Sequence, residues 1–268
     1  QLEEIINSGE NVLLCDCRFD LVDPLIGKKS YEESHIPGAI YVDLDKDLSG
    51  PKTGGNGRHP LPSPEAWAQT KTRLGISPNT LVVAYDKQGS VYASRLWWML
   101  KATGHANVRV LDGGLDAWNG PMGTNPRTPT PCIQAIGVMP YAGLVLVDEV
   151  VNNLQTQKFK IIDARANDRF HGQNETLDPV GGHIPGALNH FFKENLSGSA
   201  FKTPENLFQE FVDFLGSIKP SEVIHQCGSG VTACHNLLAM EIAGLKGSRL
   251  YAGSWSEWCA DPKRPVEL

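Results

Sequence analysis

Residues 223–233 carry the sequence Val-Ile-His-Gln-Cys-Gly-Ser-Gly-Val-Thr-Ala, in which an apolar stretch ends at a cysteine and a glycine-rich loop. The stretch from Glu222 to Ile224 predicts a short buried strand, and 231–243 predicts a helix. Glycines allow the backbone N–H groups of the loop to point at Cys227, and the helix N-terminus adds about half a positive charge. Both effects favour the thiolate, which is the nucleophilic form of cysteine.

The alternative is a buried structural cysteine, because free cysteine is among the most buried residue types. Small residues at Gly228, Ser229 and Gly230 leave space above the sulfur, which a core cysteine would not need. We therefore interpret Cys227 as a nucleophile. The loop residues expected to bind a negatively charged group through their amides are Gly228, Gly230, Val231, Thr232 and Ala233.

Composition limits the classes of function that need considering. The 268 residues are 41% hydrophobic and 20% charged, with a formal net charge of −6. Without a basic cluster, a nucleic acid is not an expected partner. No apolar run approaches the ~18 residues needed to span a bilayer, so no membrane association is expected either. No signal peptide is visible, although the chain begins at Gln1, which leaves a removed leader or a trimmed sequence open.

The six cysteines form no C-x-x-C motif, so we expect no metal site. His35 and His183 each precede Ile-Pro-Gly, and this identical placement favours a structural role in a turn. An active thiolate suits a reducing compartment, and we therefore expect the protein in the cytoplasm.

Four blocks of the first half of the chain recur in the same order in the second half, which indicates an internal duplication. The matched pairs are 12–18 with 161–165, 35–39 with 183–187, 81–86 with the strand before Cys227, and 111–118 with 251–258. Repeated prolines after Pro121 predict a linker over 123–141, between an N-terminal domain over 1–122 and a C-terminal domain over 142–268. The first repeat has Asp86 and no cysteine at the matching loop, so we predict that it is non-catalytic.

Each half alternates short apolar strands with helical stretches, such as 63–74, 93–103 and 204–215, which predicts an α/β fold with mainly parallel sheets. The loop Cys-Gly-Ser-Gly-Val-Thr-Ala at 227–233 resembles the active-site loop of the mercaptopyruvate sulfurtransferases of the rhodanese superfamily. The repeated blocks extend this resemblance over nearly the whole chain. It implies two tandem rhodanese-like domains, each a mainly parallel sheet flanked by helices, with the catalytic site in the second.

The resemblance also implies a reaction. Cys227 would take sulfane sulfur from 3-mercaptopyruvate, release pyruvate and pass the resulting persulfide to cyanide, a small thiol or a thioredoxin-like protein. The covalent cysteine persulfide would be the intermediate, with no separate cofactor, and we expect a monomer.

In that family a serine of the loop works with a histidine and an aspartate of the first domain, and the matching residues here are Ser229, His59 and Asp45. The substrate-binding arginine of the family matches Arg169. A second arginine, common in animal members before the second His-Ile-Pro-Gly, is missing from 175–180. Either Arg58 or Lys52 would then supply the second cation.

Three alternatives differ in chemistry. Thiosulfate is the competing donor, although its doubly charged head would favour more loop cations than this chain offers. A cysteine phosphatase would need an arginine six residues after the cysteine, where Ala233 stands. A non-catalytic persulfide carrier would receive its sulfur from a partner, and slow turnover of small donors would identify it.

Overall fold

The computed structural model describes residues 2–9, 11–133 and 136–268, and these form two compact units. The first comprises the described residues of Gln1–Gly50, Pro62–Ala142 and Gly198–Ala200. The second comprises Pro51–Leu61, Gly143–Ser197 and Phe201–Leu268. The predicted linker 123–141 includes residues 134 and 135, which lie outside the described residues, as do residues 1 and 10 of the predicted first domain. The boundaries 1–122, 123–141 and 142–268 stay a prediction.

The first unit contains a four-stranded parallel sheet with the strand order β2-β1-β3-β4. The strands are β1 (Val12–Asp16), β2 (Ile40–Tyr41), β3 (Leu81–Tyr85) and β4 (Val108–Val110). The helices are α1 (Leu2–Asn7), α2 (Leu25–Glu33), α3 (Pro64–Leu74) and α4 (Ala93–Ala102), and a 3-10 helix spans Gly114–Ala117. All five residues of β3 are buried, as expected for a central strand of a parallel sheet.

Helix α3 illustrates how the sequence sets the bounds of an element. The Ser63 side chain accepts a hydrogen bond from the N–H of Ala66, and Pro64 occupies the first helical position. Gly75 ends the helix in the left-handed conformation, with φ +79°.

The second unit contains a five-stranded parallel sheet with the strand order β5-β11-β10-β6-β7. Its sheet strands are β5 (Leu144–Val145), β6 (Lys160–Asp163), β7 (Leu188–Asn189), β10 (Val223–Gln226) and β11 (Arg249–Tyr251). Two further short strands are β8 (Leu196–Ser197) and β9 (Ala200–Phe201), the second of which begins at a residue of the first unit. The helices are α5 (Val147–Thr156), α6 (Asn167–Phe170), α7 (Pro204–Leu215), α8 (Thr232–Ile242) and α9 (Ser254–Trp258), and 3-10 helices span Phe192–Asn195 and Pro220–Glu222.

The core of the second unit places β10 at the centre of its sheet, with α8 directly after the loop at its carboxyl end. One hydrophobic cluster joins Ile161 and Ile224 of the sheet to the fully buried indoles of Trp255 and Trp258 in α9. In open parallel sheets the carboxyl ends of the strands carry the functional loops, and Cys227 lies at this end of β10. The predicted α/β fold with parallel sheets is confirmed.

The duplication predicted from sequence is visible in matching ion pairs. Arg18 Nη2 lies 2.7 Å from Asp16 Oδ2, and Arg165 Nη2 lies 2.6 Å from Asp163 Oδ2. Both arginines also donate to a backbone carbonyl, and all four side chains are buried. These pairs therefore hold the chain at the carboxyl end of a strand in each unit.

The histidines of the two His-Ile-Pro-Gly motifs, His35 and His183, make the same kind of contacts in their respective units. Nδ1 of His35 contacts the carbonyl of Tyr31, and Nδ1 of His183 contacts that of Phe170. Each imidazole also stacks on the side-chain ring of the residue whose backbone carbonyl it contacts. These contacts are what the predicted structural role in a turn would require. Within the described part of the chain, no helix has both the length and the apolar character needed to cross a bilayer.

Candidate active site

Cys227 lies directly after β10 and is only 2% exposed. Its backbone is held on both sides by α9: the N–H of Cys227 donates to Ser254 Oγ at 3.1 Å, and the N–H of Trp255 donates to the Cys227 carbonyl at 2.9 Å. Ser254 is fully buried and has φ +56°, a conformation that costs a serine free energy. The position of the sulfur is therefore fixed by backbone contacts.

The glycine-rich loop supplies a hydrogen-bond donor to the sulfur. The N–H of Gly230 points at Cys227 Sγ, with a separation of 3.1 Å. Gly230 has φ +76°, and a Cβ there would overlap the carbonyl oxygen of Ala252, so this position requires glycine. Val231 precedes α8, and the helix begins at Thr232, followed by the buried Ala233. Of the five residues predicted to bind a negatively charged group, three therefore precede the helix and two, Thr232 and Ala233, lie in its first turn.

In the first unit, the matching loop surrounds a carboxylate with backbone N–H donors. The carboxylate of Asp86, which follows β3, accepts four backbone hydrogen bonds, from Gln88 and Ser90 to Oδ1 and from Tyr92 and Ala93 to Oδ2, at 2.8–3.0 Å. Burial raises the pKa of Asp86 and outweighs these four donors, which lower it, so the net shift is upward. The matching loop of the second unit holds a sulfur where the first holds a carboxylate.

Two predicted residues, His59 and Ser229, are brought together. His59 Nδ1 lies 2.8 Å from Ser229 Oγ, within hydrogen-bonding distance, and both side chains are buried. Residues 51–61 belong to the second unit although they come from the first half of the sequence. The N–H of Arg58 donates to Ser256 Oγ of α9 at 3.0 Å, which fixes the segment next to the cysteine loop.

The third predicted member of this group, Asp45, lies in the first unit, in a turn after β2. The side chain of Asp43 accepts the N–H groups of Asp45 and Lys46 at 2.9 and 3.1 Å, which defines the turn. Asp45 is half-buried. Its predicted role with His59 stays a prediction.

Both predicted arginines lie beside the residue that follows the nucleophile. A Cβ built on Gly228 would lie 2.7 Å from Arg58 Nη2 and 3.6 Å from Arg169 Nη2. Glycine at 228 therefore leaves space that two guanidinium groups approach. Of the two candidates for the second cation, Arg58 occupies this position. Lys52 is an exposed residue of the same segment.

Two carboxylates that the sequence analysis did not single out hold these arginines. Asp178 pairs with Arg58 Nη1 and lies 3.5 Å from Arg169 Nη2. Glu175 accepts from Arg169 Nε and Nη2 at 2.8–3.0 Å, and also from the N–H groups of Leu177 and Asp178. Burial raises the pKa of Glu175, but these donors outweigh it and the net shift is downward. The segment noted for its lack of basic residues thus supplies acidic ones.

Five further cysteines lie among the described residues. Cys15, Cys17, Cys234 and Cys259 are buried, and Cys132 is half-buried. Burial raises the pKa of Cys15 and Cys17 strongly, and it raises that of Cys259 to about 11. Cys15, Cys17 and Cys259 are therefore protonated near neutral pH. Over residues 2–9, 11–133 and 136–268, no group of three or more His, Cys, Asp or Glu side chains is arranged to hold a metal ion.

The chain is similar to known proteins over most of its length. The model of the rhodanese-like domain matches residues 1–121 and 146–261. A Pseudomonas aeruginosa protein named probable 3-mercaptopyruvate sulfurtransferase is 45% identical over 266 residues, covering 97% of this chain and 93% of its own. The thiosulfate sulfurtransferase of Mus musculus is 36% identical over 242 residues, covering 86% and 79%.

Among solved structures, the 3-mercaptopyruvate sulfurtransferase from Leishmania major superposes with a TM-score of 0.83 at 28% identity. The match covers 98% of this chain and 74% of that one. The chain belongs to the rhodanese-like domain family, in two copies. It is an enzyme, a sulfurtransferase.

Proposed function

We propose that this sulfurtransferase moves sulfane sulfur from 3-mercaptopyruvate, through a Cys227 persulfide, to a thiol or to cyanide. The observation that carries the proposal is the 2.8 Å contact of His59 Nδ1 with Ser229 Oγ, two residues from the nucleophile. Breaking the carbon–sulfur bond of 3-mercaptopyruvate leaves a pyruvate enolate, which needs a proton. Thiosulfate releases sulfite and has no such need, so a buried histidine–serine pair favours the carbon-bound donor.

The first half-reaction forms one sulfur–sulfur bond and breaks one carbon–sulfur bond. The Cys227 thiolate attacks the sulfur of 3-mercaptopyruvate, and the electron pair of the carbon–sulfur bond passes to the carbon as the enolate. His59, acting through Ser229, delivers the proton that converts the enolate to pyruvate. Asp45 orients His59 in this proposal.

Arg58 and Arg169 bind the carboxylate of the donor. Their guanidinium groups converge beside Gly228, next to the attacking sulfur, and a guanidinium can hold a carboxylate through two parallel hydrogen bonds. This arrangement would keep the sulfur of the donor close to Cys227.

In the second half-reaction a thiolate or cyanide attacks the outer sulfur of the persulfide and releases the Cys227 thiolate. The donor N–H of Gly230 and the amides of Gly228, Val231, Thr232 and Ala233 stabilise the persulfide, as the matching amides of the first unit stabilise the Asp86 carboxylate. The acceptor in this proposal is cyanide, a small thiol or a thioredoxin-like protein. The intermediate is the covalent cysteine persulfide, and the protein acts as a cytoplasmic monomer.

The catalytic domain in this proposal is the C-terminal one, over 142–268, and the N-terminal domain over 1–122 is non-catalytic. The presence of Asp86, rather than a cysteine, after β3 supports this division. Segment 51–61 of the first half nevertheless contributes Arg58 and His59 to the site of the second unit.

The test measures kcat/KM for thiocyanate formation with 3-mercaptopyruvate and with thiosulfate, for the protein and for Cys227→Ser. We expect a preference of tenfold or more for 3-mercaptopyruvate, and loss of activity with both donors in the variant. A preference for thiosulfate would instead support the second candidate function, a thiosulfate:cyanide sulfurtransferase, which the two arginines beside Gly228 would also serve. Without Cys227-dependent turnover of either donor, a persulfide carrier would be the better explanation.

A further inference from the structure

The carboxylate of Asp178 bridges the two guanidinium groups that lie beside Gly228. Its Oδ1 pairs with Arg58 Nη1, and its Oδ2 lies 3.5 Å from Arg169 Nη2. The Asp178 side chain is 3% exposed, while Arg58 and Arg169 keep 27% and 20% of their side-chain surfaces accessible. A carboxylate shared by two guanidinium groups is the arrangement that a bound carboxylate ligand would adopt.

Asp178 and Glu175 differ in what holds them. Glu175 accepts the N–H groups of Leu177 and Asp178 as well as three hydrogen bonds from Arg169, so it fixes the backbone of its own segment. The Asp178 carboxylate instead accepts from the side chains of Arg58 and Arg169. An anion that binds both arginines therefore competes with Asp178, whereas Glu175 can stay in place.

The charges around this point balance. Three arginines, at 58, 165 and 169, face three carboxylates, at 163, 175 and 178, so the group carries no net formal charge. Loss of the Asp178 charge would leave one positive charge in excess beside the nucleophile. An added positive charge lowers the binding free energy of a dianion more than that of a monoanion. The charge of residue 178 therefore affects which donor binds better.

We propose that Asp178 is a specificity-determining residue, an internal carboxylate that occupies the donor's binding groups and disfavours dianionic donors relative to monoanionic ones. A donor with a single carboxylate can replace Asp178 as the partner of the two arginines, because it brings the same charge of −1 to them. A dianion such as thiosulfate adds a second negative charge that Asp178 repels. This inference rests on the proposed function, because it assigns the donor carboxylate to Arg58 and Arg169.

The kinetic test compares the protein with Asp178→Asn, which has the same shape without the charge. We expect kcat/KM with thiosulfate to rise tenfold or more, mainly through a lower KM, and kcat/KM with 3-mercaptopyruvate to change less than threefold. Asp178→Glu retains the charge and should keep the donor ratio of the unaltered protein. Asp213→Asn, at an exposed carboxylate of α7, makes the same change in net charge and serves as the control.

A second measurement does not depend on turnover. The rates at which iodoacetate, an anion, and iodoacetamide, its neutral analogue, alkylate Cys227 are compared by mass spectrometry of the peptide that contains it. Asp178→Asn should raise the ratio of iodoacetate to iodoacetamide rates at least fivefold. A purely structural role of Asp178 would change both rates alike and leave the ratio constant.

The outcomes separate this inference from the proposed function. If the unaltered protein turns over 3-mercaptopyruvate but both ratios stay within twofold in Asp178→Asn, the inference is wrong and the proposed function stands. If the unaltered protein does not use 3-mercaptopyruvate, the proposed function is wrong, and the alkylation ratio alone still tests the charge effect. Should Asp178→Asn fail to fold, Asp178→Ser replaces it, and failure of both to fold would assign Asp178 to stability and overturn the inference.

Discussion

Asp86 and Cys227 hold the same place in the two units. Each directly follows a central strand of a parallel sheet, and the carbonyl of each accepts a matching backbone N–H, from Leu115 to Asp86 at 2.8 Å and from Trp255 to Cys227 at 2.9 Å. One loop design thus holds a carboxylate in the first unit and a sulfur in the second. Backbone N–H donors are therefore the means by which this loop, which has no basic side chain, would stabilise the proposed persulfide.

The first prediction concerns the carboxylate of this pair. Asp86→Ala leaves three buried N–H donors and one half-buried one without their acceptor, so we expect it to lower the free energy of unfolding by about 3 kcal/mol or more. Asp86→Asn keeps one acceptor oxygen and should cost less. Urea unfolding of the full chain measures both, with Asp116→Asn, whose exposed pair with Lys87 contributes under about 1 kcal/mol, as the control. Equal stability of Asp86→Ala and Asp116→Asn would contradict the prediction.

The second prediction concerns the proton relay. Ser229→Ala and His59→Asn should each lower kcat with 3-mercaptopyruvate by about 10²-fold, within the usual range for general acid–base catalysis. They should lower kcat with thiosulfate by less than tenfold, because sulfite leaves without needing a proton. The double variant should lose little more than either single one, since the two residues act together. Equal losses with both donors would mean that the pair only positions the cysteine loop.

The core of this site could be predicted from sequence for physical reasons. The strand, the cysteine and the glycine loop lie within eleven residues, and short-range pattern is what periodicity and turn chemistry report. Arg169 and His59 followed from family resemblance. The choice of Arg58 over Lys52 could not be made, because it depends on a contact with Asp178, 120 residues away in the sequence. No local signal marks such a pairing.

Ser254 shows a different limit. Serine rarely adopts φ +56°, so propensity gives no reason to expect the conformation that lets its hydroxyl reach Cys227. A signal did exist in the repeat, since the matching position of the first unit is Gly114, with φ +57°. Where duplicated blocks match a glycine to a serine, both backbones can have a positive φ. Glycine adopts this conformation without strain, whereas serine adopts it at a cost in free energy.

The third prediction follows from that strain. Ser254→Gly should remove the acceptor of the Cys227 N–H but relax the backbone, so the two effects on stability offset each other to within about 1 kcal/mol. Ser254→Ala keeps the strained φ, loses the hydrogen bond and should destabilise by about 1–3 kcal/mol. Both should lower kcat/KM with either donor alike, because they misplace the sulfur. Thermal unfolding and donor kinetics of both variants test the prediction. A higher stability of Ser254→Ala than of Ser254→Gly would contradict it.

The fourth prediction concerns stability in acid. Burial, and to a smaller extent the charge of His190, lowers the pKa of His225, in β10, to about 3. The unfolded chain takes up the proton near pH 6.5 while the folded protein does not, so stability is fully present above about pH 6.5. It declines by up to about 1.4 kcal/mol per unit as the pH falls towards about 3. His225→Leu removes the titrating group, and urea unfolding between pH 4 and 7 should show a correspondingly shallower dependence on pH than in the unaltered protein. Parallel curves for the two proteins would show that the pKa of His225 is nearly the same in the folded protein as in the unfolded chain, which would contradict the prediction.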